Sequence, residues 1–88
     1  MAWTIEYSHT VKEQLRKLDR EASRRILDYV EERLAFRDNP RDLGKALSGP
    51  LGALWRYRVG DYRLTCDIQD SASKILILRV GKRTEVYR

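Results

Sequence analysis

Alternation of apolar and polar positions at the start of the chain predicts a short strand over Trp3–Tyr7. Apolar residues then recur at helical spacing in two stretches, and each stretch follows a residue suited to cap a helix. Ser8 precedes the first stretch, which ends near Leu18, and Asp19 precedes the second. The apolar positions are Val11, Leu15 and Leu18 in the first predicted helix and Ala22, Ile26, Val30 and Leu34 in the second.

The second half of the chain has the pattern of strands. Residues 41–53 contain several glycines and a proline, which predicts an irregular connector. Two alternating runs then flank Gly60-Asp61, the pattern of a tight β-hairpin with glycine at the first turn position. A nearly continuous apolar run from Lys74 to Val80, ended by Gly81, predicts a central strand.

The predicted elements follow the order β-α-α-β-β-β. This order indicates one α+β domain over residues 1–88, with two N-terminal helices packed on one face of a mostly antiparallel four-stranded sheet. We expect the first strand to lie beside the last, because the last has the most apolar sequence and should be the most buried.

The hairpin places three arginines on one face. A two-residue loop fixes the register, so Arg58 lies opposite Arg63 and Arg56 lies opposite Thr65. Like charges directly opposite each other destabilise a hairpin, by up to about 1 kcal/mol. We therefore interpret the arginine face as a site for an anion. The other face carries Trp55, Tyr57, Val59, Tyr62 and Leu64.

The distribution of charge supports a polyanionic partner. Residues 1–44 hold nine basic and nine acidic side chains, whereas residues 45–88 hold nine basic and four acidic ones, which gives the whole net charge of +5. We favour nucleic acid over a membrane, because no basic amphipathic anchor and no apolar run of about 20 residues is evident. The lone Cys66, read as a small core residue, and the absence of a signal peptide predict a cytoplasmic protein.

Most familiar catalytic sets are missing from the sequence. His9 is the only histidine and is expected at the surface, and no cluster suggests a metal or another cofactor. Several guanidinium groups together stabilise the extra negative charge of a phosphorane, and RNA supplies its own 2′-hydroxyl nucleophile. A tyrosine beside cations is a better proton acceptor than an arginine. Non-catalytic binding of nucleic acid or of an acidic protein remains an alternative.

The hairpin Trp55-Arg-Tyr-Arg-Val-Gly-Asp-Tyr-Arg-Leu64 and the ending Val80-Gly-Lys-Arg-Thr-Glu-Val-Tyr87 resemble the RelE branch of the RelE/ParE toxin superfamily. The resemblance spans the whole chain and is most specific in these two segments. It implies a small toxin that enters the ribosomal A site and cleaves mRNA without a metal, and that a cognate antitoxin silences. An acidic or amphipathic antitoxin is expected to cover the basic face.

Carried over by position, the resemblance implies a catalytic set of Arg56, Arg58, Arg63, Arg83 and Tyr87. Arg58 and Arg63 would hold the phosphate with help from Arg56, Arg83 would act on the leaving oxygen, and Tyr87 would orient or deprotonate the 2′-hydroxyl. We also expect Lys45, Lys82 and Arg88 to contact the substrate.

The chain departs from the family pattern in two places. Some members have lysines at the positions of Arg56 and Arg58, and some have a basic residue at the position of Ser48. Two alternatives stay open: a ParE-like inhibitor of DNA gyrase without ribonuclease activity, and a degenerate module that only binds antitoxin or nucleic acid.

Overall fold

The computed structural model describes residues 2–47 and 54–82. In chain order the elements are β1 (Thr4–Tyr7), α1 (His9–Lys17), α2 (Arg20–Asp28), a π-helical turn (Tyr29–Leu34), a 3₁₀ turn (Pro40–Asp42), β2 (Lys45–Ala46), β3 (Trp55–Val59), β4 (Tyr62–Gln69), another 3₁₀ turn (Asp70–Ala72) and β5 (Lys74–Lys82).

Both helices begin where their capping residues predict. The Ser8 hydroxyl accepts a hydrogen bond from the Val11 N–H at 3.1 Å, and the Asp19 carboxylate accepts one from the Ala22 N–H at 2.6 Å. The second helix widens into the π-helical turn before it ends, and the Ala35 N–H bonds to the Val30 carbonyl. In the part of the chain described, no helix combines the length and the apolar character that crossing a membrane requires.

The strands form one sheet in the order β1-β5-β4-β3-β2. β1 pairs in parallel with β5, and the other neighbours are antiparallel. The predictions of an α+β fold and of a first strand beside the last are confirmed.

Two predicted details of the sheet were wrong. The sheet has five strands rather than four, because Lys45–Ala46, inside the predicted connector, pairs with the start of β3. Gly44 makes this possible: its φ is +73°, and a Cβ there would collide with the Arg56 carbonyl oxygen. The last strand also continues through Gly81 to Lys82, since a glycine weakens a strand without ending one that is paired on one side.

The hydrophobic core lies between the helices and one face of the sheet. The side chains on this face of β3, β4 and β5 alternate with those on the opposite face, which carries Arg56, Arg63 and Thr65. The fully buried members of the core include Val11, Ile26, Val30, Leu34, Tyr57, Leu64, Cys66, Ile75 and Ile77.

Candidate active site

The tight hairpin has the predicted turn and the predicted register. Gly60 has a φ of +60°, whereas Asp61 has a negative φ, the combination of a type II′ turn. Arg58 lies opposite Arg63, and Val59 lies opposite Tyr62. The like-charged pair inferred from the sequence is therefore present in the sheet.

The arginine face extends beyond the hairpin in a row across four strands. Lys45 of β2 lies opposite Arg56 of β3, Arg56 lies opposite Thr65 of β4, and Thr65 lies opposite Arg79 of β5. Neighbouring strands are about 4.8 Å apart, so this row places three cationic side chains within about 15 Å. Arg63 lies in the next row.

A β-bulge in β5 puts Arg79 on this face. Cys66 pairs with Ile77 and Thr65 pairs with Arg79, so Leu78 is an extra residue with no partner in β4. Strict alternation after Ile77 would turn Arg79 into the core. Because of the bulge, Arg79 is exposed and Val80, at 4% exposure, is buried in its place. The bulge avoids the cost of burying a charge.

These side chains border a groove of about 710 Å³, which we call the arginine groove. Its cationic members are Arg56, Arg63 and Arg79, and Thr65 lies among them. Arg63 is only 8% exposed, so most of its side chain is shielded from water. The remaining lining comes from Thr10, Gln14, Leu47, Leu54, Leu78, Val80 and Gly81.

Helix α1 forms one wall of the arginine groove by attaching to the part of β5 that β1 does not reach. The Ser8 N–H bonds to the Ile77 carbonyl at 2.9 Å, and the Ser8 hydroxyl donates to the Leu78 carbonyl at 3.0 Å. Farther along, the Val80 N–H donates to the side-chain oxygen of Gln14 at 2.7 Å. The helix therefore covers the edge of β5 and holds the bulge in place.

Arg58 occupies a different environment from the other arginines of the hairpin. Its Nε donates to the Gly60 carbonyl at 3.4 Å, and it borders a second depression beside Arg24 and Arg25 of α2. β2 pairs with β3 only at Trp55 and Arg56, so among the described residues Arg58 lies beyond the end of β2. The structure brings Arg56 and Arg63 together in the arginine groove but does not bring Arg58 there.

The remaining predicted site residues lie in different parts of the molecule or outside the described residues. Lys45 is exposed and extends the row of Arg56, whereas Lys82 borders a small depression beside Asp61 on the α2 side. Arg83, Tyr87 and Arg88 lie outside the described residues, as does Ser48. Arg79 was missed from the sequence, where it stood in an apolar run with no indication of its face.

A second arginine-containing cluster lies away from the groove, and we call it the Trp55 clamp: Arg41, Trp55 and Asp70. Arg41 makes two hydrogen bonds to the Asp70 carboxylate, at 2.8 and 2.9 Å, and its guanidinium lies 5.9 Å from the Trp55 ring centre. These bonds hold the pKa of the Asp70 carboxyl below its ordinary value. The Trp55 Nε1–H donates to the Leu43 carbonyl at 2.6 Å.

Two other expectations concern side chains outside the groove. Cys66 is fully buried, and burial raises the pKa of its thiol, so it is a core residue as predicted. His9 is exposed at the start of α1, which confirms the expected surface position.

Comparison with known proteins identifies the family. A model of the family described as the ParE toxin of type II toxin–antitoxin systems, parDE, matches residues 5–87. The toxin RelG of Mycobacterium tuberculosis is 36% identical over 91 residues, covering 100% of this chain and 99% of the relative. The toxin RelE of the same organism is 30% identical over 84 residues, covering 96% of this chain and 84% of the relative.

Solved structures give the same result. A chain of the toxin–antitoxin complex RelBE2 from Mycobacterium tuberculosis matches with a TM-score of 0.85 at 28% identity, covering 94% of this chain and 93% of that one. A chain of the RelE–RelB complex from Pyrococcus horikoshii has a TM-score of 0.73 at 26% identity, with coverage of 94% and 97%. This chain therefore belongs to the ParE toxin family of type II toxin–antitoxin systems and, by its relatives and structural neighbours, to the RelE branch of the superfamily.

Proposed function

We propose that this type II toxin is a ribosome-dependent endoribonuclease that cleaves mRNA in the A site without a metal or another cofactor. The observation that carries the proposal is the arginine groove, in which Arg56, Arg63 and Arg79 from three adjacent strands border one depression. Planar guanidinium groups bind phosphate through paired N–H donors, and several of them suit a centre that gains negative charge.

The reaction that fits this groove is an in-line attack within the RNA strand. The 2′-oxygen forms a bond to the adjacent phosphorus, the bond from phosphorus to the 5′-oxygen breaks, and a 2′,3′-cyclic phosphate and a 5′-hydroxyl result. Arg63, with Arg56, stabilises the charge that develops on the phosphoryl oxygens. We assign removal of the 2′-hydroxyl proton to Tyr87 and stabilisation or protonation of the 5′-oxygen to Arg83.

Arg58 remains in the proposed catalytic set, although it lies outside the arginine groove. It lies directly opposite Arg63 in the hairpin but borders the depression on the α2 side. We propose that Arg58 contacts the RNA outside the groove. Lys45, in the row of Arg56, is proposed to bind substrate at the β2 end of the groove. Lys82 and Arg88 remain predicted contacts, although Lys82 borders a depression on the α2 side.

We propose a cognate antitoxin as the protein partner. The structurally similar RelBE2 chains and the archaeal RelE chain were solved as complexes of toxin with antitoxin. The basic half of this chain favours an antitoxin segment with acidic residues, because complementary charge speeds association and selects the partner. Binding measured at low and high salt tests this, and an affinity that does not change with salt contradicts a mainly electrostatic contact.

The test of the catalytic proposal is primer extension on a defined mRNA, with and without translating ribosomes. We expect cleavage by the unaltered chain only when ribosomes are present, and a loss of about 10²–10³-fold in rate for Arg83→Ala and for Tyr87→Ala. Arg16→Ala is the control, since Arg16 is exposed on α1 and pairs with Glu13 outside the groove. Cleavage at the unaltered rate by both variants would contradict the assigned roles.

Inhibition of DNA gyrase is the second candidate function. It is supported by the match to a family model described as the ParE toxin. Purified gyrase and supercoiling assays distinguish the two. If supercoiling is inhibited and mRNA on ribosomes stays intact, the chain is a gyrase inhibitor and the proposal of an endoribonuclease is wrong.

A further inference from the structure

We propose that Arg79 is a substrate-binding residue that holds a phosphate of the RNA next to the scissile one. The inference rests on the proposed ribonuclease function and adds to it a second phosphate subsite. Neither the hairpin motif nor the tail that resembles the RelE family contains this residue.

The first argument is the bulge at Leu78. An unbroken β5 would send Arg79 into the core beside Ile77, and the extra residue instead places it on the groove face opposite Thr65. Bulges often re-aim a side chain next to an active site. Here α1 holds the bulge through the Ser8 hydroxyl, which donates to the carbonyl of Leu78 itself. The backbone of β5 therefore determines that the Arg79 side chain lies on the groove face of the sheet.

The second argument is the state of the Arg79 guanidinium. It is exposed, and within residues 2–47 and 54–82 it makes no hydrogen bond or ion pair with another side chain. Arg41, in the Trp55 clamp, has both a carboxylate and an aromatic ring as partners. Among the described residues, Arg79 thus keeps its N–H donors available for a ligand, and Arg56 and Arg63 border the same groove.

The third argument is the distance between the arginines compared with the size of a single phosphate. Arg56, Arg63 and Arg79 border the groove from three adjacent strands. Arg56 and Arg79 are separated by β4, a Cα spacing of about 10 Å at two strand widths. One phosphate engages the Arg56–Arg63 side, and the neighbouring phosphate of the same strand matches the charge at Arg79.

The experiment measures binding of non-cleavable RNA, so it is independent of the chemical step. The probes are a single-stranded oligonucleotide with 2′-O-methyl groups throughout and the corresponding dinucleoside monophosphate, which has one phosphodiester. For Arg79→Ala we expect about tenfold weaker binding of the oligonucleotide. The slope of log affinity against log salt becomes less steep by about 0.7, the value for one lost phosphate contact on a single strand. Binding of the dinucleoside monophosphate stays unchanged.

Three further variants separate binding from a structural role. Arg79→Lys keeps the charge and retains most of the salt slope, and Arg16→Ala, outside the groove, leaves the slope unchanged. The double variant Arg79→Ala with Thr65→Arg returns a cation to the same row on the adjacent strand and recovers the slope. Thermal unfolding of each variant verifies that the fold is retained.

Equal salt slopes for the unaltered chain and Arg79→Ala overturn the inference, as does an equal loss of affinity for both probes. The absence of oligonucleotide binding by the unaltered chain also overturns it. The proposed function is judged separately, by mRNA cleavage on ribosomes, so a chain that cleaves mRNA but shows no role for Arg79 refutes only this subsite.

Discussion

Two arginine-containing regions of this toxin place the same kind of side chain in different surroundings. In the Trp55 clamp, Arg41 is paired with the Asp70 carboxylate through two hydrogen bonds and lies over the Trp55 ring. In the arginine groove, Arg63 and Arg79 border a common depression with Arg56, and Arg63 has another arginine opposite it in the sheet. The clamp joins the two 3₁₀ turns that hold Arg41 and Asp70, whereas the groove brings together three arginines from adjacent strands.

We expect this difference to distinguish arginines that contribute to folding from arginines that bind a ligand. A paired guanidinium stabilises the folded chain at neutral pH, while like charges opposite each other in a sheet reduce stability. Residues selected for a site commonly oppose stability, so substitutions in the two regions should separate activity from the free energy of unfolding.

The largest effect is expected in the arginine groove. Arg63→Ala should lower the single-turnover rate of mRNA cleavage on ribosomes by about 10²–10³-fold, because it removes a donor to the developing phosphoryl charge. Arg41→Ala is the matched variant in the clamp and should retain the rate of the unaltered chain. Equal losses in the two variants would show that the two regions do not differ as described.

An intermediate effect is expected on stability alone. The Tyr57 hydroxyl donates to the Pro40 carbonyl at 2.7 Å in a buried position, next to the clamp. Tyr57→Phe leaves that carbonyl without its donor and should lower the free energy of unfolding by about 1–2 kcal/mol in urea titrations. Tyr62→Phe serves as the control and should change it by less than about 0.5 kcal/mol. A reduced cleavage rate in folded Tyr57→Phe would contradict a purely structural role.

The smallest effect is the pH dependence of the clamp. Arg41 lowers the pKa of Asp70 in the folded chain, so the ion pair stabilises the fold above the unfolded value of about 3.9 and is lost as the pH falls through the folded pKa. The stability difference between the unaltered chain and Asp70→Asn should therefore be constant near neutral pH and shrink below about pH 3.9. In an Arg41→Gln background the difference should be small at every pH. Urea titrations at neutral and acidic pH measure it, and a difference that grows on acidification has the wrong sign.

The sequence predicted the features that depend on local chemistry. Helix caps at Ser8 and Asp19 and the turn at Gly60-Asp61 act over a few residues, and a two-residue loop fixes the register of Arg58 with Arg63 without further information. The prediction that the first strand lies beside the last also held, because an apolar strand is stable only when neighbours cover it.

Features that depend on distant partners were not accessible from the sequence. The short strand Lys45–Ala46 exists because β3 is available beside it, and its two residues carry no strand pattern. A run of apolar residues gives no indication of the bulge at Leu78. The face of the sheet on which Arg79 lies could therefore not be predicted from the sequence. Likewise, Arg58 has the same alternation as Arg56, and among the described residues only the end of β2 gives the two arginines different surroundings.

The attachment of α1 to β5 also affects how the molecule meets other chains. An exposed strand edge can pair with any extended peptide, including another copy of the same protein. Along the second half of β5 the edge is already occupied, because Ser8 and Gln14 bind the main-chain groups that an incoming strand would use. The occupied edge therefore lowers the tendency of this part of β5 to pair with another chain and to aggregate.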